Sequence, residues 1–120
     1  CNMYKYYNAN PLNRYEDDCV IRSLSCATGK SWDEVYDYLS DLAQYKGTLL
    51  DKKEFVIKYL SETFRRLYGI YGTIGEVSGM FPKSTILILS NNHIVCSING
   101  VLYDSFDPRD LEAKYVFLVK

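Results

Sequence analysis

The sequence has neither an excess of charge of one sign nor a long hydrophobic run. Its 120 residues carry 14 Lys and Arg against 15 Asp and Glu, which leaves a formal net charge of -1. A basic surface for nucleic acid is therefore not expected. The longest apolar run is too short to span a bilayer, and no secretory signal region opens the chain. The length predicts one globular domain over residues 1–120. The absence of a basic surface and of a long apolar run predicts that this domain binds neither nucleic acid nor membrane.

The spacing of the cysteines excludes the common disulfide and metal-binding frameworks. The four cysteines are Cys1, Cys19, Cys26 and Cys96, and none of them forms a Cys-x-x-Cys pair. If Cys19 and Cys26 belong to one helix, they are roughly 10 Å apart along its axis. A disulfide needs Cα atoms within about 7 Å. We therefore expect reduced thiols in a cytoplasm, with Cys26 and Cys96 as small buried apolar residues.

The single histidine, His93, limits the metal sites that the chain could build. His93-x-x-Cys96 has the spacing of a ligand pair, but residues three apart on a strand point to opposite faces. A zinc site would then need several further ligands from bent segments. The row of Asp33, Asp37 and Asp41 is better explained as the exposed face of a helix. We expect no metal and no other cofactor.

Hydrophobic periodicity predicts three helices in the first half of the chain. The first begins near Cys19, the second follows the capping box of Ser31 and Glu34, and the third spans about residues 51–67. The glycine-rich segment 69–79 lacks a phosphate-loop motif, so it is expected to be a loop with one short helix.

From Ser84 onward the pattern changes to strands. The segment TILIL is apolar on both faces, as in a central strand, and KYVFLVK predicts a last strand. Between them, Asn99-Gly100 is a strong signal for a two-residue hairpin turn. The arm before Tyr15 is expected to lie on the fold as an extended or looped segment. The order predicts an α+β domain with N-terminal helices packed on a C-terminal antiparallel sheet of about four strands.

The predicted hairpin brings the histidine close to a carboxylate. With a two-residue turn at Asn99-Gly100, His93 and Asp104 share a face as diagonal neighbours, within reach of a hydrogen bond. Cys19 stands at a predicted helix N-terminus, where the positive end of the helix favours a thiolate. A thiol, a base and an orienting carboxylate are the components of a cysteine nucleophile. A catalytic triad and a purely structural histidine both remain open at this point.

This order of residues resembles the papain-like cysteine peptidase superfamily. The segment YDSFD is similar to the Asn-Ser-Trp motif of papains, with Asp104 and Phe106 at the positions of the asparagine and the aromatic residue. Asn13, six residues before Cys19, stands where papains and bacteriocin leader-peptide peptidases carry an oxyanion-hole glutamine. The segments DDCVIRSLSCATGKSWDEVYDYL and GVLYDSFD also resemble small phage and prophage proteins of this superfamily.

The resemblance implies a compact papain-like fold and acyl transfer from an amide, usually to water. Cys19 would be the nucleophile, His93 the general base and then the general acid, and Asp104 would orient the imidazole. The backbone N–H of Cys19 and the side chain of Asn13 would face the oxyanion. The implied substrate is a peptide or protein, and the implied setting is the bacterial cytoplasm, for a phage- or prophage-encoded protein.

Two further residues, Arg22 and Asp107, are candidate substrate contacts. Arg22 either pairs with Asp17 or Asp18 or binds a substrate carboxylate. Transferase and deamidase variants of the same triad also stay open, because fold does not determine function. The competing functions are a catalytically silent papain-like module that binds a host or phage protein, and a structural protein in which Cys19 is buried.

Overall fold

Four helices and a six-stranded sheet form the described part of the chain. The computed structural model describes residues 3–7, 19–45, 47, 53–91, 93–104 and 107–120. The strands are β1 (Met3–Tyr6), β2 (Arg65–Leu67), β3 (Thr85–Leu89), β4 (Ile94–Ile98), β5 (Val101–Asp104) and β6 (Tyr115–Leu118). The helices are α1 (Cys19–Thr28), α2 (Trp32–Tyr45), α3 (Lys53–Thr63) and α4 (Ile74–Met80). The predicted α+β class is confirmed, but the predicted count of about four strands is too low.

Local signals account for the boundaries of the first two helices. Gly29, at φ +76°, ends α1, and its N–H donates to the carbonyl oxygen of Ser25 at 3.0 Å. A left-handed residue at this position is a common helix terminator. The capping box before α2 is present, since Glu34 N–H donates to Ser31 Oγ at 3.2 Å and Ser31 N–H donates to Glu34 Oε1 at 3.4 Å. Both boundaries follow from residues adjacent in sequence.

The third helix is shorter than the sequence predicts. It ends at Thr63, and Arg65–Leu67 forms β2, which pairs antiparallel with β6. The prediction of a helix to residue 67 is therefore wrong. Phe64 and Leu67 fit the helical repeat, but the edge of β6 supplies backbone partners for an extended segment there.

The sheet has the order β1-β5-β4-β3-β6-β2, with β3 buried along its whole length. Leu87 and Leu89 of β3 pack in a cluster with α1, α2 and α3, whereas Ile86 and Ile88 pack in a second cluster with α4. Helices therefore cover both faces of β3, as its two-sided apolar pattern predicts.

The β4–β5 hairpin has the predicted turn and register. Asn99 and Gly100 have φ values of +52° and +81°, as the two central residues of a type I′ turn require. Ile98 lies opposite Val101, and the pairing continues along both strands toward the open end of the hairpin.

Within the N-terminal arm, Met3–Tyr6 forms an edge strand of the sheet. β1 pairs parallel with β5, with Tyr4 opposite Leu102 and Tyr6 opposite Asp104. The sheet is therefore mixed, and the prediction of a purely antiparallel sheet is wrong. Among the described helices, none combines the length and the apolar character needed to cross a bilayer.

Candidate functional site

The open end of the β4–β5 hairpin holds a partly buried histidine–carboxylate pair. His93 directly precedes β4, and Asp104 is the last residue of β5. His93 Nε2 and Asp104 Oδ2 form a hydrogen bond, and the two side chains are 10% and 4% exposed. The hydrogen bond that the hairpin register predicts is therefore present.

The hydrogen bond to Asp104 determines which ring nitrogen of His93 carries the proton. An ionised carboxylate only accepts hydrogen bonds, so Nε2 of His93 carries the proton in the bond to Asp104. In the neutral imidazole the lone pair then belongs to Nδ1. The pair thus presents Nδ1 as its basic atom.

Asp104 is held through both its backbone and its carboxylate. Its carbonyl oxygen accepts hydrogen bonds from Tyr4 Oη at 3.0 Å and from the N–H of Tyr7 at 2.7 Å. Arg22 Nη2 lies 3.8 Å from Asp104 Oδ1, and the Arg22 side chain is only 7% exposed. A buried carboxylate needs such partners to remain ionised. Strand β1 and Tyr7 therefore fix the backbone of Asp104, while His93 and Arg22 stabilise the negative charge of its carboxylate.

Helix α1 is anchored at the same end of the sheet by Ser23. Ser23 Oγ donates to the carbonyl oxygen of Ile94 at 2.9 Å in a buried hydrogen bond. The described pairing of β4 with β5 covers Cys96 to Ile98, so Ile94 lies beyond it. The helix therefore supplies the donor for this carbonyl, and Ser23 lies next to the residue that follows His93.

Cys19 is the first residue of α1, one turn before Arg22 and Ser23. Residues at i, i+3 and i+4 share a helix face, so the position of Cys19 belongs to the face that contacts Asp104 and Ile94. Its side chain lies outside the described part of the structure. The predicted oxyanion-hole residue Asn13 lies outside the described residues, as do Asp17, Asp18 and Phe106.

Arg22 and Asp107, the two candidate substrate contacts, have different environments. Arg22 is buried against Asp104, a partner that the sequence did not indicate. Asp107 is exposed and forms a two-pronged ion pair with Arg109, with Nε to Oδ1 at 2.9 Å and Nη2 to Oδ2 at 2.7 Å. This guanidinium holds the pKa of the Asp107 carboxyl below its usual value.

Two contacts of the site were missed at the sequence level: Ser23 to Ile94 and Arg22 to Asp104. The signal that could have found them is the spacing of Cys19, Arg22 and Ser23 along one face of the helix. Polar residues with this spacing on a buried helix face need polar partners on the sheet below.

The described residues contain no group of three or more His, Cys, Asp or Glu side chains placed to hold a metal ion. Cys96, three residues after His93, packs in the core cluster beneath α1. Val95, on the other face of the same strand, packs in the cluster with α4.

Comparison of the chain with protein-family models, curated proteins and solved structures finds no match. The α+β architecture is therefore established by the structure alone, and the resemblance to papain-like peptidases stays a prediction. Any function assigned to the chain depends on the geometry around His93 and Asp104.

Proposed function

We propose that the protein is a cysteine peptidase-like thiol hydrolase of papain-like fold, which cleaves an amide or peptide bond with Cys19, His93 and Asp104. The observation that carries the proposal is the partly buried hydrogen bond between His93 and Asp104. It lies at the end of the sheet that the first two turns of α1 contact through Arg22 and Ser23. Cys19 begins that helix.

The reaction uses His93 as the base that activates the thiol. Nδ1 of His93 takes the proton of the Cys19 thiol, and the thiolate attacks the substrate carbonyl carbon. The imidazolium then protonates the leaving amine as the tetrahedral intermediate collapses to a thioester. Water hydrolyses the thioester after giving a proton to Nδ1, and the thiol is restored. Asp104 stays ionised throughout and stabilises the imidazolium.

The start of α1 provides the first donor for the oxyanion. The N–H groups of the first turn of a helix have no partners within the helix, and Cys19 is the first residue of α1. Its backbone N–H is the proposed first donor, and the amide of Asn13 is the proposed second donor. A peptide or protein is the proposed substrate. A reducing bacterial cytoplasm, for a phage- or prophage-encoded protein, is the proposed setting.

Arg22 is a positioning residue in this proposal. Its guanidinium lies against Asp104 Oδ1, while His93 bonds Oδ2. The carboxylate is thus held between a permanent cation and the imidazole, which limits its rotation. Since the guanidinium is buried with Asp104, we propose that Arg22 acts through Asp104 and not through direct contact with the substrate.

Site-resolved alkylation tests whether His93 activates Cys19. Trypsin cleaves after Arg14, Arg22 and Lys30, so Cys19 and Cys26 fall in separate peptides, 15–22 and 23–30. We expect iodoacetamide to modify Cys19 at pH 6.5 roughly tenfold or more faster in the native protein than in His93→Gln, because the base maintains the thiolate. The rate at Cys26 in the same digest is the internal control.

Two further variants make the test specific. Asp104→Asn keeps the shape of the carboxylate and should also slow alkylation of Cys19, whereas Asp107→Asn removes the same charge at the surface and should not. Equal rates at Cys19 in the wild type and in a folded His93→Gln protein would contradict the proposal and favour the catalytically silent binding module. Cleavage of a mixture of short peptides, lost in Cys19→Ser, would separate hydrolysis from simple thiol reactivity.

A further inference from the structure

Two thiols that the proposed reaction does not use lie together between α1 and β4. Cys26 belongs to the last turns of α1 and is partly buried, while Cys96, in the middle of β4, is fully buried. Cys96 belongs to the core cluster between the helices and the sheet, Cys26 packs against that cluster, and each thiol shifts the pKa of the other. They are thus neighbours although 70 positions apart in the chain.

The hydrogen bond between Ser23 and Ile94 shows how the helix aligns with the strand. From this contact, Cys26 lies three residues further along α1, a rise of about 4.5 Å. Cys96 lies two residues further along β4, about 6.8 Å, and therefore on the same face as Ile94. Since α1 packs on β4, the two cysteines lie at comparable distances beyond this contact on adjoining elements.

The surroundings of the pair give the two thiols different properties. The hydrogen bond from Cys96 lowers the pKa of Cys26, whereas the same bond, together with burial, raises the pKa of Cys96 far above its usual value. The ring of Tyr7 packs edge-to-face on Tyr103, the cross-strand partner of Cys96, at 6.4 Å between centroids. Because Cys26 is only partly buried whereas Cys96 is fully buried, Cys26 is the accessible nucleophile and Cys96 is the enclosed second thiol.

We propose that Cys26 and Cys96 are a redox pair that a small disulfide of the glutathione type converts into an intramolecular disulfide. The Cys26 thiolate attacks one sulfur of the small disulfide, forming a mixed disulfide and releasing one small thiolate. Cys96 then attacks the Cys26 sulfur, and its proton passes to the second small thiolate as that group leaves. Two protein thiols are oxidised and one small disulfide is reduced to two thiols.

The product links α1 directly to β4. It joins the helix that begins at Cys19 to the strand that follows His93, so it is a redox-sensitive clamp within the fold. Neither the formation nor the detection of this disulfide requires Cys19 to react, so its test is independent of the proposed hydrolase activity.

Peptide mapping without reduction tests the pairing in the intact, folded chain. The protein is incubated with oxidised glutathione, blocked with N-ethylmaleimide and digested with trypsin. The four cysteines then lie in the separate peptides 1–5, 15–22, 23–30 and 84–109, so every link has its own mass. In the native protein we expect the link between 23–30 and 84–109 to dominate.

The same oxidation in guanidinium chloride is the reference for an unfolded chain. Loop closure there favours the short Cys19–Cys26 loop over the Cys26–Cys96 loop by roughly 30-fold. The native fold should reverse this preference. An identical distribution of links in native and unfolded protein would overturn the proposal. So would a native protein in which Cys26 stops at the mixed disulfide with glutathione.

Three variants complete the test, each checked for folding by circular dichroism. Cys19→Ser should retain the native link. Cys96→Ala should lose the link and accumulate Cys26 as a mixed disulfide. Cys26→Ser, at the more exposed position, should lose both products and is the safer variant if Cys96→Ala does not fold. Persistence of an 84–109 link in Cys26→Ser would show that Cys96 pairs elsewhere and would overturn the assignment.

Discussion

Replacing Arg22 with Met tests whether Asp104 depends on its buried cation. Met keeps an unbranched side chain but removes the charge. The Arg22 and Asp104 side chains are 7% and 4% exposed, and Arg22 Nη2 lies 3.8 Å from Asp104 Oδ1. At an effective dielectric constant of about 20, two unit charges at this distance attract by about 4 kcal/mol.

The net cost of the substitution should be slightly smaller. Removing one partner of a buried ion pair typically costs about 3–5 kcal/mol, because the other charge is left behind. Here Asp104 keeps its hydrogen bond to His93, so we expect the lower end, about 3 kcal/mol. For a domain with a stability of about 5–15 kcal/mol, this is a large share.

Urea unfolding measures this cost directly. Far-UV circular dichroism and the fluorescence of Trp32, the single tryptophan, should give the same transition midpoint. Arg109→Met is the matched control, because it makes the same chemical change in the exposed ion pair with Asp107. Its midpoint should equal that of the wild type within error, since exposed ion pairs contribute little.

A double-mutant cycle with Asp104→Asn identifies the interaction. In that background Arg22→Met should cost about 1–3 kcal/mol less than in the wild type. Two results would refute the reasoning: a loss below about 0.5 kcal/mol for Arg22→Met, which is the range of ordinary surface changes, or the same loss in both backgrounds. Either would mean that Arg22 does not hold Asp104.

Three further predictions concern stability. The Cys26–Cys96 disulfide closes a loop of about 70 residues and should raise the free energy of unfolding by about 4 kcal/mol; equal urea midpoints for oxidised and reduced protein would contradict this. Ser23→Ala leaves the buried carbonyl of Ile94 without this donor and should cost about 1–3 kcal/mol in the same assay; an unchanged midpoint would show that another donor replaces it. Gly100→Ala, at φ +81°, should cost about 1–2 kcal/mol; a raised melting temperature would exclude strain in the turn.

Local rules explain why the central parts of the fold and of the site are predictable from sequence. Asn99-Gly100 determines a two-residue turn, and the two-residue repeat of strands then brings His93 and Asp104 to one face. The end of α1 at Gly29 and the capping box of Ser31 before α2 are likewise determined by neighbouring residues. Each of these features needs only residues close in sequence or in hairpin register.

Edge strands and contacts between elements depend on distant parts of the chain. β1 and β2 are short, and each becomes a strand because β5 or β6 offers it an open edge. The end of α3 has the same cause, since Leu67 fits the helical repeat but is held by β6. A sequence pattern does not indicate which edge will be available, because that depends on how the whole sheet assembles.

Local sequence signals were sufficient to predict α1, α2, the turn at Asn99-Gly100 and the pairing of His93 with Asp104. The ion pair between Arg22 and Asp104 and the proximity of the Cys26 and Cys96 thiols depend on the tertiary structure. The physical reason is that helical and strand repeats specify faces, whereas the position at which a helix crosses a strand is set by side-chain packing over the whole interface.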